Sequence, residues 1–172
     1  CRRNATLVKG ALQLIAAKKP ATIRGRAFGE ELTPILRRCD GATIADVIRK
    51  LDAWEAAKLE ALADREGDDE AKERVVDQAA ALRTIAGSCS STSEIPVVIH
   101  DLFVEAAPAD RVVFSSIHRA KGTEARRIFL VHAPVGVRKS RRDPTPLELE
   151  QEENCQYVAH TRSLQTLVHV QA

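Results

Sequence analysis

The sequence has few aromatic residues and no closely spaced cysteines. Phe, Trp and Tyr together make up 3% of its 172 residues, so stacked aromatic platforms are not the expected mode of recognition. Its cysteines form no CxxC pair and stand far apart, at Cys1, Cys39, Cys89 and Cys155. This spacing disfavours a zinc site or a disulfide framework, and it is typical of reduced thiols in a cytosolic protein.

The chain also lacks a strong excess of charge and any long apolar run. With 26 Lys and Arg against 24 Asp and Glu, the net charge of +2 does not by itself indicate a polyanionic partner. No apolar run is long enough to cross a membrane, and no signal peptide is present. We therefore predict no membrane partner and a cytoplasmic protein, bacterial or encoded by a phage or plasmid. Because the chain begins CRRNATL, without Met, we expect it to be part of a longer protein.

Apolar periodicity predicts helices through most of the first hundred residues. The first helix starts at Asn4 as N-cap, with an apolar face formed by Leu7, Val8, Ala11, Leu12 and Ile15. A long helix starts at a capping box of Thr43 and Asp46 and carries a stripe of Ile44, Val47, Ile48, Leu51 and Trp54. A further helix aligns Val75, Ala79, Leu82 and Ala86. Residues 41–93 are thus expected to form a compact helical insertion, and EIPVVIHDLFVE favours a helix entered by Pro96.

The pattern changes after Arg111, where apolar runs become continuous rather than alternating. The runs RVVFSSI, RIFLVH and LQTLVHV are typical of strands in a parallel sheet covered on both faces, and ATIRG predicts another strand ending at Gly25. LELEQEENCQYVAHTRS predicts a helix between the last two runs. The predicted fold class is α/β, with an open, mostly parallel sheet that has helices on both faces.

A charged segment, SIHRAKGTE, follows directly on the strand VVFSSI, where the ligand loop of such a sheet is expected. Ser116 and His118 can donate to a phosphate, and Lys121 adds a point charge. Gly122 allows close approach of the backbone, and Glu124 can accept hydrogen bonds from a sugar hydroxyl. The alternative is an ordinary charged surface turn, since polar turns between strands are common.

Two other segments contain arginines with a functional and a structural interpretation. Arg162, at the end of a predicted helix in QEENCQYVAHTRS, can reach a transferring phosphoryl group or can satisfy the helix dipole. Arg2, in CRRNA before the first helix, can bind an anion or can be solvated. Tyr157, the only Tyr in the chain, is expected to be buried by packing.

Together, these three segments resemble the superfamily 1 DNA helicases of the UvrD, Rep and PcrA type. The fifth motif of that family, T-x-H-x-A-K-G-L-E, is similar to SIHRAKGTE, and its sixth, E-E-x-x-x-x-Y-V-A-x-T-R-A, is similar to EENCQYVAHTRS. The fourth motif contains Y-R-x-N-A, where this chain has CRRNA. Departures are Thr123 for Leu, Ser163 for Ala, Cys155 for an aliphatic residue, and one residue fewer before Tyr157. The resemblance covers both ends of the chain and fits the middle only loosely.

The resemblance implies that residues 1–172 are the second of two RecA-like motor domains, of the P-loop NTPase type. ATP and Mg²⁺ would be held with the first motor domain of the same parent, which supplies the phosphate loop, the magnesium ligands and the base. Arg2 and Arg162 would be the catalytic arginines that reach the γ-phosphate, and Gly122 and Glu124 would meet the nucleotide. Ser116, His118 and Lys121 would contact single-stranded or partly duplex DNA.

The chain has no GxxxxGK followed by Ser or Thr, so the backbone amides that cradle nucleotide phosphates are missing. We therefore expect half of an ATP site, inactive alone, in a parent that is an ATP-dependent DNA helicase or translocase. The alternatives are a catalytically degenerate helicase-like module that binds DNA or a protein, and a generic doubly wound domain. If Arg2, Glu124 and Arg162 converge on one face, the generic doubly wound domain is excluded. If they do not converge, the helicase resemblance fails.

Overall fold

The computed structural model of the chain describes residues 4–63, 68–106, 110–132 and 146–171. Contacts within the chain divide it into two units. The first, the helical unit, comprises Arg3–Phe114. The second, the strand unit, has residues 115–132 and 146–171 as its described part.

The described residues of the helical unit form five helices and three short strands. The helices are α1 (Asn4–Ala16), α2 (Arg26–Arg38), α3 (Ile44–Ala61), α4 (Asp69–Ser88) and α5 (Glu94–Leu102). The strands are β1 (Ala21–Arg24), β2 (Phe103–Val104) and β3 (Val112–Phe114). They form a parallel sheet in the order β2-β1-β3. The predicted helices and the strand ending at Gly25 are confirmed, except that the helix predicted from EIPVVIHDLFVE ends at Leu102 and Phe103–Val104 form β2. In the described part of residues 41–93, the structure has α3, α4 and the turns beside them.

The core of the helical unit lies between these helices and the small sheet. Fully buried side chains come from six different elements, namely Val8, Ile23, Leu32, Leu51, Ile85 and Ile95. Each such side chain contributes about 1.5–3 kcal/mol through removal of its apolar surface from water. The predicted apolar faces are confirmed only in part, because Ile15 at the end of α1 is 45% exposed.

The amino end of α1 is capped by a residue from another helix. The Asp77 carboxylate on α4, itself buried, accepts the Asn4 backbone N–H at 2.9 Å, the Asn4 side-chain amide at 3.0 Å and the Ala5 N–H at 2.9 Å. The prediction that Asn4 precedes the helix as its own N-cap is therefore wrong. A carboxylate at this end satisfies otherwise unpaired amides and also complements the helix dipole.

The amino end of α3 has the predicted local cap. The Thr43 hydroxyl oxygen accepts the Asp46 N–H at 3.1 Å, and the hydroxyl donates to the Asp46 carboxylate at 2.9 Å. This hydrogen bond from Thr43, helped by Arg49, holds the pKa of the Asp46 carboxyl below its usual range. The ionised cap is therefore complete at neutral pH and is lost as the pH falls through that lowered pKa.

Helices α3 and α4 are also joined by ion pairs. Arg83 on α4 donates to the Asp52 carboxylate at 2.7 Å and to the Glu55 carboxylate at 2.6 Å, both on α3. Because all three groups are partly exposed, these ion pairs add little to the free energy of unfolding. Binding of one guanidinium to two carboxylates mainly fixes the alignment of α3 with α4.

The strand unit contains a β-α-β arrangement. Strands β4 (Ala125–His132) and β5 (Ser163–Gln171) are parallel, and helix α6 (Pro146–His160) lies between them in the sequence. Parallel neighbours require a long crossover connection of this kind. The prediction of parallel strands is thus confirmed. The described strands, however, form two sheets, of three and two strands, rather than the single open sheet that was expected.

The expectation that these strands are covered on both faces is wrong for the described residues. Val112 and Val113 of β3 are 48% and 41% exposed, and Phe129 of β4 is 57% exposed. Tyr157 of α6, expected to be buried, is 69% exposed. Continuous apolar runs predict a strand, but they do not say which neighbouring elements cover it.

Candidate functional site

Five of the seven predicted site residues lie in one loop between β3 and β4. The loop contains a 3-10 helix, His118–Ala120, in which the Ala120 N–H donates to the Ile117 carbonyl at 3.2 Å and also to the Ser116 carbonyl at 3.0 Å. The Ser116 hydroxyl oxygen also accepts the Arg119 N–H, at 3.4 Å. Ser116 is therefore half-buried and engaged in shaping the loop, whereas His118 is exposed.

The second half of the loop is a turn built around Gly122. Gly122 has φ 79°, in the left-handed region that side chains disfavour, and open space surrounds the position of a Cβ. Thr123 closes the turn, since its N–H and its hydroxyl both donate to the Ala120 carbonyl, at 3.1 and 2.9 Å. Lys121 and Glu124 on either side are exposed, so both charges are accessible to a ligand.

Arg162 lies two residues after the end of α6 and directly before β5. Its Nε donates to the Val158 carbonyl at 3.1 Å, and its Nη2 donates to the Thr161 hydroxyl at 2.9 Å. These bonds hold the guanidinium at the carboxyl end of the helix, the arrangement that the structural interpretation predicts. They use some of the five N–H donors of a guanidinium, so the group is oriented and still able to bind an anion.

Glu124 and Arg162 are brought together by strand pairing. Ala125, directly after Glu124, donates its N–H to the Arg162 carbonyl at 3.1 Å, and Ala125 is paired with Ser163 in the sheet register. Both predicted residues therefore stand at the amino-terminal edge of the β4–β5 sheet. The loop starts after the carboxyl end of β3, as predicted, whereas these two residues lie at the amino ends of β4 and β5.

The loop also contacts α6 through Cys155, one of the departures from the sixth motif. The Cys155 thiol lies 3.4 Å from His118 Nε2, although the two residues are 37 positions apart. The sequence signal was present, because Cys155 replaces an aliphatic residue within the sixth-motif resemblance, but nothing in the sequence identified its partner. Arg2 lies outside the described residues, so the convergence of Arg2 with Glu124 and Arg162 stays a prediction.

The other described thiols are held by the helical unit. Burial raises the pKa of Cys39, against the opposing effects of Lys50 and Arg38, and burial likewise raises the pKa of Cys89. Both thiols therefore stay protonated at neutral pH, and neither is a ready nucleophile. Within the described ranges, no three His, Cys, Asp or Glu side chains are grouped closely enough to hold a metal ion.

A cavity of about 550 Å³ lies between α2, α3 and α4, and its lining includes Glu31, Arg38, Trp54, Lys58 and Arg74. Glu31 is bound to Arg74 at 2.5 Å and to the Gln78 amide at 2.9 Å. The buried Trp54 indole N–H has no acceptor among the described residues. None of the six described site residues lines this cavity.

No described helix combines the length and apolarity that are needed to span a membrane. Comparison with known proteins adds no family assignment, because the chain matches no protein-family model and no curated sequence. The established result is therefore a mixed α/β chain with small parallel sheets and a polar loop whose residues meet the end of α6. Any assignment of function rests on the motif residues and on their geometry.

Proposed function

We propose that this chain is the second motor half of an ATP-dependent DNA helicase or translocase of the UvrD-like kind, with a RecA-like sheet completed in the whole protein. The observation that best supports this proposal is the pairing of the residues after Glu124 and Arg162. It places a carboxylate and a guanidinium, distant in sequence, at the start of neighbouring strands. In the proposed site, one recognises the nucleotide ribose and the other the γ-phosphate.

The groups at this edge suit one half of a nucleotide site. Arg162 has a permanent charge and a planar array of donors that matches a phosphate, so it would stabilise charge that develops on a transferring phosphoryl group. Exposed Glu124 would accept hydrogen bonds from the ribose, and the Gly122 turn keeps side-chain bulk away from the ligand. Arg2 would supply a second cation to the same phosphate.

The rest of the site would come from elsewhere in the parent. A bound Mg²⁺ would neutralise phosphate charge, but its ligands are expected in the first motor domain, along with the phosphate loop that this sequence lacks. Ser116, His118 and Lys121 would contact single-stranded or partly duplex DNA on the other side of the loop. A protein of this kind would act in the cytosol.

A second candidate is a helicase-like module that binds DNA or a protein without catalysis. The observation in its favour is that the Arg162 guanidinium already bonds to the Val158 carbonyl and the Thr161 hydroxyl, as a purely structural arginine would. The two candidates differ in what happens to turnover when this arginine is removed.

The test is Arg162→Ala in a full-length protein that joins this chain to its phosphate-loop half. We expect DNA-stimulated ATP turnover to fall about 10³-fold, while ATP binding falls less than about tenfold, because the arginine acts mainly on developing charge. Arg26→Ala, at an exposed arginine of α2, should change neither quantity.

Loss of stability with unchanged turnover in Arg162→Ala would favour the binding module instead. The chain by itself should show no DNA-stimulated ATPase activity, since it has only one half of the site. Turnover above background by the purified chain would contradict the proposal directly.

A further inference from the structure

The contact between His118 and Cys155 is the starting point, because it joins the loop to α6. The thiol sulfur lies 3.4 Å from Nε2 of the imidazole, within the range of a hydrogen bond to sulfur. The 3-10 helix that contains His118 packs against α6, so the contact is part of a local interface within the strand unit. The imidazole is exposed on its other side, whereas Cys155 is half-buried.

On α6, Cys155 lies close to the residue that binds the Arg162 guanidinium. Val158, whose carbonyl holds the Arg162 guanidinium, follows Cys155 by about one helical turn and so lies on the same side of the helix. The imidazole, the thiol, the carbonyl and the guanidinium therefore follow one another along one side of α6.

The chemistry of a thiol differs here from that of the aliphatic residue found in the resembling motif. A thiol can donate to Nε2 of the neutral ring, and the proton of that ring is then on Nδ1. When the ring is protonated, Nε2–H becomes the donor and the sulfur accepts. An aliphatic side chain would fill the same space and would select neither the tautomer nor the orientation of the ring.

We propose that Cys155 is a positioning residue that fixes the orientation and tautomer of His118, and so presents Nδ1–H to a phosphate of bound DNA. The inference that DNA is the ligand rests on the proposed function. The inference that the thiol orients the ring rests on the geometry alone, and the two can be tested separately.

The first test uses the chain itself, with ¹⁵N-labelled histidine and the variant Cys155→Val. The valine keeps an apolar side chain of similar size and removes the hydrogen bond. We expect the imidazole ¹⁵N resonances of His118 to shift towards the averaged tautomer ratio of a free ring, while those of His100 on α5 stay in place. Cys89→Val, which removes a half-buried thiol bonded to the Ile85 carbonyl, should leave His118 unaffected.

Cys155→Ser adds a graded comparison, since a hydroxyl keeps a donor but is shorter than a thiol. Its His118 resonances should fall between those of the parent and of Cys155→Val. Identical His118 resonances in the parent and in Cys155→Val, with the protein folded, would overturn the proposal.

The second test measures DNA-dependent ATP turnover in the full-length protein. Cys155→Val should raise the DNA concentration for half-maximal stimulation about threefold, the effect of losing one neutral hydrogen bond, and should leave the KM for ATP unchanged. His118→Ala should raise the same DNA concentration by at least as much. If His118→Ala has this effect and Cys155→Val does not, the positioning role is wrong. If neither has an effect while the resonances still shift, the DNA assignment of the proposed function is wrong and the thiol–imidazole contact stands.

Discussion

The helical unit and the strand unit differ in how they bury their apolar residues. Fully buried side chains in the helical unit come from all five helices and from β1, whereas among the described residues of the strand unit only Ala159 is a buried apolar residue. Yet the loop that holds five of the seven predicted site residues belongs to the strand unit. Most of the predicted site residues therefore lie in the unit whose described part has fewer buried apolar residues.

The physical reason lies in the elements that each unit contains. Five amphipathic helices can cover a small sheet and one another, which is the usual way to close a core. A two-stranded parallel sheet with one helix leaves residues such as Phe129, Leu164 and Tyr157 exposed. Parallel sheets are usually covered on both faces. These exposed side chains therefore show which surfaces of the strand unit are left uncovered by its described elements.

The contrast in burial is tested most strongly by paired leucine truncations. Leu32→Ala, at a fully buried position of α2, should lower the free energy of unfolding by about 2–5 kcal/mol because it leaves a cavity. Leu164→Ala, at a position that is 62% exposed on β5, should cost less than about 1 kcal/mol. Trp54, the only Trp, reports urea unfolding of the helical unit, and amide hydrogen exchange reports the strand unit. Equal losses of unfolding free energy in the two variants would show that the two units do not differ in apolar burial.

The second prediction concerns the hydrogen bonds that Asp77 makes to residues distant in sequence. It asks whether they stabilise the helical unit in addition to apolar burial. Asp77→Ala removes the acceptor for three donors at the start of α1 and should cost about 2 kcal/mol. Asp101→Ala, at an exposed carboxylate of α5, is the control and should change stability by less than about 0.5 kcal/mol. Urea unfolding followed by Trp54 fluorescence measures both, and a cost at Asp77 no larger than the control would show that its bonds contribute little.

Two glycine substitutions should change stability in opposite directions. Gly122→Ala should cost about 1 kcal/mol, because φ 79° strains any residue with a Cβ although nothing lies nearby to clash. Gly87→Ala, near the end of α4 with open space around it, should stabilise by up to about 1 kcal/mol through helix propensity. Hydrogen exchange of each unit separates the effects. Stabilisation by Gly122→Ala would mean that the loop does not need its left-handed turn.

The smallest expected effect compares two hydroxyls, one with a partner and one without. The Ser163 hydroxyl is buried and has no partner among the described residues, so Ser163→Ala should change stability by less than about 0.5 kcal/mol or raise it slightly. Thr22→Val, which removes a buried bond to the Leu102 carbonyl at 2.9 Å, should cost about 1 kcal/mol. A cost for Ser163→Ala as large as that for Thr22→Val would reveal a partner for the Ser163 hydroxyl.

Much of the local structure could be predicted because its causes lie within a few residues. The Thr43 and Asp46 cap, the helix entered at Pro96 and the parallel strands β4 and β5 follow from spacing and apolar patterning. The loop that contains His118, Gly122 and Glu124 was likewise located from its polar residues between two apolar runs. Its function is still a proposal, since sequence alone leaves both a ligand loop and a surface turn open.

The rest was decided by residues that are distant in sequence. An aspartate within an amphipathic helix gives no sign that it will cap another helix, as Asp77 does for α1. Nor does a cysteine in a motif reveal the imidazole that it will contact, as Cys155 does with His118. The exposure of Tyr157 depends in the same way on which elements cover α6.

The sequence by itself therefore determined most of the helices and strands and the position of the polar loop, because backbone conformation responds to neighbours a few positions apart. Only the tertiary structure decided that Glu124 and Arg162 stand side by side, and that the loop contacts α6 through a thiol. Those pairings depend on hydrogen bonds between segments tens of residues apart, and the spacing of residues along the chain does not encode the directions of such bonds.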